Sequence, residues 1–399
     1  MMHTSIYLSH SLALLVCIVF PLYLAIRGSA SLSDIALVLS SLSERAEALH
    51  FKLTPSLAAS PAPISKSLPD GLAHCINSFE QYPVLAEQVL QRKHVRYSKQ
   101  TPAQKAISSQ LGYPAHFEKA RKGIEVNARF SEKIAQIARR DYHTGPRTPE
   151  DKEVADFGVV DLAFAHLSRD WSTQGAKERQ AVFPPVLSGL EQHFGGSARG
   201  NKVLVPGSGM GRLASDIADL GYEVTANELD YGSILAYHLL TNHTSSLHQH
   251  TLQPFVTKWT HQANPSSRYS ALTVPDHWPN KAVKLVEGDF LEMFSRDGEF
   301  DAVVTLFFID MSTNVIDFLS NIHRLLKPGG CGSTLGVPLK WSTNSALQLS
   351  AEEVLQLADL LGFDVDHTSR KNIDSLYAEQ PETLLKFTYV TQFWSATKR

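Results

Sequence analysis

The chain has 399 residues, of which 43% are hydrophobic and 19% charged, with a formal net charge of -3. That length can supply about two to three domains, and the near-neutral balance gives no electrostatic reason to expect nucleic acid as a partner. The three cysteines, Cys17, Cys75 and Cys331, are scattered. Neither a disulfide framework nor a thiolate metal site is expected, and the chain suits a reducing compartment.

Residues 5–26, SIYLSHSLALLVCIVFPLYLAI, form a mostly apolar stretch of the length a bilayer-spanning helix needs. Arg27 follows it and no Lys or Arg precedes it. This favours a membrane anchor within residues 1–30, with the rest of the chain in the cytosol. The small residues Gly28 to Ala30 leave open a cleaved signal peptide and secretion, and a soluble cytosolic chain is the third option. The sequon Asn242-His243-Thr244 would report a luminal location if it carried a glycan.

Residues 31–75 read as a short amphipathic helix, SLSDIALVLSSLSERAEALH, followed by a Pro/Ser/Ala-rich linker. Residues 76–198 carry apolar positions at helical spacing, interrupted by the turn-rich HTGPRTPEDKE, and predict an N-terminal helical region. The basic group Arg92, Lys93, Arg96 and Lys99 reads as a solvated helix face.

From residue 199 to 399 the character changes. KVLVP, EVTANE, VKLVEGDF, FDAVVTLFFID and CGSTLGVPL are strand-like, alternating with helical runs such as MGRLASDIADLGY and NVIDFLSNIHRLLKPGG. GFDVDH and LLKFTYVTQFWSATK read as further strands near the end. The alternation predicts an α/β fold with a doubly wound, mainly parallel sheet. Residues 231–281 break the rhythm and read as an insertion, and no internal repeat is present.

A strand that runs into a glycine-rich turn and a helix offers backbone N–H groups to a polar ligand. The glycines are Gly207, Gly209 and Gly211, and Arg212 stands where a dinucleotide fingerprint needs its third glycine. The spacing suits S-adenosyl-L-methionine, which has no pyrophosphate. Glu228 ends the next strand, placed to accept hydrogen bonds from ribose hydroxyls. EGDF puts Asp289 and Phe290 at the end of a third strand for an adenine, and the fourth strand ends on Asp310. With RLLKPGG at 324–330, these pieces in this order resemble the class I S-adenosylmethionine-dependent methyltransferases, with their seven-strand sheet.

A narrower resemblance is carried by RDWSTQGAKER at 169–179, LVPGSGMGRLASDIADLGY, PFVTKWTHQANPSSRYSALTVPDHWP, FFIDMSTNVIDF and the C-terminal Tyr/Tyr/Phe-Trp spacing. Over residues 76–399 the chain is similar to the carnosine N-methyltransferase family. The resemblance implies methyl transfer from S-adenosylmethionine to an imidazole nitrogen of the dipeptide carnosine, forming anserine. It implies that Arg169 holds the donor's methionine carboxylate, with His166 in place of a family Gln, and that Gly207 lines the donor. It puts Glu228 on the ribose, Asp289 and Phe290 on the adenine, and Asp310, Tyr377 and Tyr389 on the acceptor.

One departure stands out. The family's Leu-Gly-Pro-Leu-Leu-Tyr-His run is LGVPLKW here, so Lys340 and Trp341 replace Tyr and a substrate-holding His. Trp can stack on a flat ring and donate one N–H, but it accepts nothing. Trp341 is therefore a candidate substrate contact, and a changed acceptor or a degenerate, cofactor-binding protein are the alternatives. The 17 histidines include HTSSLHQH at 243–250, read as surface or loop residues. No metal is expected.

Overall fold

The structure, a computed structural model, describes residues 71–145, 155–336, 339–378, 380 and 382–399. The apolar stretch at 5–26, the helix expected at 31–50 and most of HTGPRTPEDKE lie outside these residues. Among the described residues no helix is long and apolar enough to cross a membrane. The two longest helices among these residues, at 27 residues each, instead bury only part of their surface. The transmembrane expectation is withdrawn on that finding, and no membrane attachment is proposed.

Helix α1 (Leu72–Ser98) sets Leu72, Ile76, Phe79, Tyr82, Ala86 and Leu90 along one buried stripe, the three-to-four spacing that a packed helix face requires. A short α2 (Pro102–Gln110) starts with a Thr101–Gln104 capping box and leads to α3 (Ala115–Asp141), which buries Phe117, Ala120, Ile124, Phe130 and Ile134. Asp156 caps α4 (Phe157–Trp171), and α5 (Ala176–His193) follows after a single 3-10 turn at Thr173–Gly175.

The α/β half then begins with β1 (Lys202–Pro206), α6 (Arg212–Asp219), β2 (Glu223–Glu228) and α7 (Tyr231–Asn242). β3 (His250–Leu252) and β4 (Leu272–Val274) pair only with each other, antiparallel. Next come β5 (Lys284–Glu287), β6 (Phe300–Leu306), α8 (Val315–Leu325), β7 (Leu326–Gly336), α9 (Ala351–Leu360), β8 (Phe363–Leu376) and β9 (Thr388–Lys398). The large sheet has the order β5-β2-β1-β6-β7-β9-β8. Neighbours from β5 to β7 are parallel, and β9 runs antiparallel between β7 and β8.

Both sheet faces are covered, as a parallel sheet requires. Val203 and Val205 pack with Val182, Val186, Leu213 and Ile217 of α5 and α6. The intervening Leu204 faces the other way and joins Val315, Leu319, Val354 and Leu355 of α8 and α9. A third core joins α1, α3, α4 and α7 through Phe79, Phe130, Phe164 and Leu235.

Three readings need correction. The segment 231–281 opens with α7, an ordinary crossover helix between parallel neighbours, and only the β3–β4 hairpin region stands apart. The fourth strand does not run to Asp310. β6 stops at Leu306, because Phe307 adopts a positive φ of 53°, and Asp310 sits in the 3-10 turn Ile309–Met311. His250 is also not a surface residue: it is buried and bonds Thr244 Oγ1 at 2.9 Å.

Candidate active site

The glycine turn is built from both sides. Gly207, Gly209 and Gly211 have φ values of 61°, 55° and 73°, the left-handed region where a side chain is strained. A Cβ on Gly207 would also run into the ring of Phe308, and one on Gly211 would lie 2.7 Å from the ring of Tyr237. The Ser208 N–H donates to the Asn227 carbonyl at 3.0 Å, which sews the turn to the end of β2.

Trp171, fully buried at the end of α4, donates its Nε1–H to the Met210 carbonyl at 2.8 Å. The Arg212 guanidinium lies 5.0 Å from the Trp171 ring centre. Arg212 thus does structural work where a dinucleotide turn would have glycine. Its Nε donates to Asp216 at 2.8 Å and its Nη1 to Asp276 at 2.6 Å. Arg179 holds the other Asp276 oxygen at 2.6 Å and also donates to the Arg169 carbonyl at 2.6 Å.

Between the turn, α4 and the strand ends lies a cavity of about 740 Å³. Among the residues singled out in the sequence, it brings together His166, Arg169, Gly207, Gly209, Glu228, Asp289, Phe290 and Tyr377. Glu228 accepts the N–H groups of Gly209, Leu229 and Asp230 at 2.7, 2.9 and 2.8 Å. Burial raises its pKa against those three donors. A carboxylate has about four acceptor positions, so one remains for a ligand hydroxyl. Asp289 fixes its loop by accepting the Leu291 N–H at 2.8 Å. Phe290 is buried edge-on to Phe308 at 5.4 Å.

At the far end Arg169 donates through Nε and Nη2 to both Asp170 oxygens, at 2.6 and 2.9 Å. Burial works against the Asp170 charge, but Arg169 overrides it and holds that carboxyl below its ordinary value. The Tyr377 ring covers the guanidinium at 5.2 Å, and the Tyr377 hydroxyl bonds His166 Nε2 at 3.2 Å. Burial, reinforced by Arg169, lowers the His166 pKa to about 4, so the imidazole is neutral at physiological pH. Two residues here carried no signal that sequence reading used. Asp276 enters from a loop far along the chain. Glu178, inside RDWSTQGAKER, has its pKa pushed up to about 7 by burial, against Arg169 and the Ala378 N–H.

Four of the singled-out residues do not line the cavity. Gly211 turns its backbone toward Tyr237. Tyr389 packs edge-on to Tyr377 at 5.9 Å. Asp310 is 2% exposed between the lining residues Phe308 and Met311. One of its oxygens accepts the Lys340 N–H at 3.1 Å, and the other is buried without a partner. Trp341 is spent elsewhere: its Nε1–H donates to the Leu349 carbonyl at 2.7 Å, and its ring packs on the α8–α9 core.

The family model for carnosine N-methyltransferase matches residues 146–399. Carnosine N-methyltransferase of Drosophila melanogaster is 31% identical over 245 residues, which is 58% of this chain and 53% of that one, so the match spans about half of that relative. The mouse enzyme of the same name is 26% identical over 335 residues, covering 79% of this chain and 82% of its own. That of Schizosaccharomyces pombe is 27% identical over 355 residues, covering 81% and 94%. With more than half of its length matched by the family model, on a doubly wound sheet whose glycine turn opens into the cavity, this chain belongs to the carnosine N-methyltransferase family.

Proposed function

We propose that the protein moves the methyl group of S-adenosylmethionine to an imidazole nitrogen of carnosine or a related histidine-containing dipeptide, forming anserine from carnosine. The observation that carries the acceptor half is Asp310, a buried carboxyl with one unpaired oxygen beside the cavity wall. A buried, unpaired carboxylate oxygen is costly unless a ligand supplies a donor, and an imidazole ring N–H is such a donor. In this reading the acceptor displaces the flexible side chain of Met311, 70% exposed, to reach it.

S-adenosylmethionine supplies a methyl group activated by its sulfonium, and transfer breaks the C–S bond as the C–N bond forms, with the C–S pair staying on sulfur. The chain's own residues position the partners, exclude water and balance charge. An imidazole has an unperturbed pKa of about 6.5, so near neutral pH most of it already has a free lone pair and needs no strong base. Asp310 holds the other ring N–H, which fixes the tautomer and stabilises the developing imidazolium. Burial pushes its carboxyl up to about 6, a range in which it can also take that proton.

The donor's methionine end is assigned to His166 and Arg169, its ribose to Glu228 and its adenine to Asp289 and Phe290. Gly207 and Gly209 approach it through backbone, and Gly211 shapes the turn. Tyr377 forms the acceptor side next to the methionine end, with Tyr389 packed edge-on behind it. Trp341 is left out of the acceptor contacts because its one N–H is used within the fold.

The test is label transfer from S-adenosylmethionine carrying a tritiated methyl group to carnosine, related histidine dipeptides and anserine. Transfer is expected to carnosine and not to anserine, whose target nitrogen already bears a methyl group. Donor binding with no transfer to any dipeptide would reject the acceptor assignment. Trp341→Phe is expected to leave turnover within about twofold and to lower the unfolding free energy by about 1–2 kcal/mol, from the stranded Leu349 carbonyl. A large loss of turnover at unchanged stability would return Trp341 to the site.

A further inference from the structure

Glu178 lies in the first turn of α5 and is 6% exposed. One of its oxygens accepts the Ala378 N–H at 2.8 Å, the residue after Tyr377. The other oxygen, Oε1, is buried and has no partner. The side chain lines the cavity at the same end as Arg169 and Tyr377.

The neighbouring acids are already committed. Asp170 gives both oxygens to Arg169, and Asp276 gives one each to Arg179 and Arg212. Glu178 is therefore the acid at this end with an oxygen to spare. Arg169 uses Nε and Nη2 on Asp170, which leaves Nη1 outside that pair. One spare carboxylate oxygen near one spare guanidinium nitrogen is the complement of a zwitterionic α-amino acid, whose ammonium and carboxylate are a single carbon apart.

We infer that Glu178 binds the α-ammonium of the methyl donor's methionine end, opposite the carboxylate held by Arg169; the inference rests on the donor reading above. A charge-assisted hydrogen bond at a buried site is among the stronger polar contacts. Glu178 then has two tasks. One oxygen pins the loop that carries Tyr377, and the other reads the donor.

The experiment is calorimetric titration of the full chain with S-adenosylhomocysteine and with its analogue lacking the α-amino group. Wild type is expected to prefer the amino ligand by about tenfold or more. Glu178→Gln is nearly isosteric and still accepts the Ala378 N–H. It is expected to bind the amino ligand about tenfold more weakly and the desamino ligand as wild type does, so that the preference collapses. Equal affinity of wild type for the two ligands overturns the inference whether or not the variant folds. A preference that survives in Glu178→Gln also overturns it, as does a defect confined to KM for carnosine, which would assign Glu178 to the acceptor's amine. If wild type binds no S-adenosylhomocysteine at all, the donor reading itself fails, a result distinct from binding without amino discrimination.

Discussion

Asp310→Asn is expected to slow methyl transfer to carnosine by about 100- to 1,000-fold while leaving the affinity for S-adenosylhomocysteine nearly unchanged. The amide keeps the shape of the carboxyl and can still accept the Lys340 N–H. It loses the negative charge that, in the proposed reaction, would face the developing imidazolium. The same substitution is expected to stabilise the free protein. Burial raises the folded-state pKa of this carboxyl from 3.8 to about 6, so the folded chain holds the proton more tightly than the unfolded chain does. The stability attached to this group is therefore greatest in acid and declines as pH rises from about 4 through about 6. At neutral pH the cost is about 3 kcal/mol, of which the uncharged amide recovers a part, since its own buried N–H group is left without an acceptor. Loss of turnover with a gain in unfolding free energy, measured by denaturant titration at pH 7 and pH 4, is the signature of a group kept for chemistry. Parallel losses of turnover, donor binding and stability would show a structural role instead.

Gly175→Ala is expected to cost about 3 kcal/mol or more and to weaken donor binding along with it. Backbone conformation is not the obstacle, since the φ of Gly175 is -76°. Close approach is. A Cβ at this position would fall inside the carbonyl group of Arg169 and 2.6 Å from the Ser168 carbonyl oxygen. These are backbone atoms at the end of α4 and cannot swing aside as a side chain would. To make room α4 must retreat, and it carries Arg169 and Trp171, the latter bonded to the Met210 carbonyl of the glycine turn. Urea denaturation and titration with S-adenosylhomocysteine together check this. A near-wild-type midpoint with unchanged affinity would mean that the turn yields more easily than the packing indicates.

The glycine turn and the acid beside it were largely legible in the sequence because their parts are local. Consecutive residues make the strand, the glycine turn and the helix start, and Glu228 sits at the end of the next strand, whose register with β1 follows from the parallel pairing. Even so, the strand ends were misjudged where backbone geometry intervened. The apolar run FDAVVTLFFID reads as one strand, and only the positive φ at Phe307 shows that the chain turns before Asp310. Trp341 shows the opposite limit: sequence position put it at the acceptor, and packing turned its indole toward Leu349.

The sequence by itself determined the fold class, the family and the glycine turn that follows the first strand, since periodicity and turn chemistry act between near neighbours. Only the tertiary structure decided which polar groups were left unpaired. The Asp310 oxygen without a donor, Glu178 reaching across 200 residues to Ala378 and Asp276 shared by two arginines are all outcomes of which distant segments meet. No local pattern records that, because an orphaned oxygen is defined by everything that packs around it.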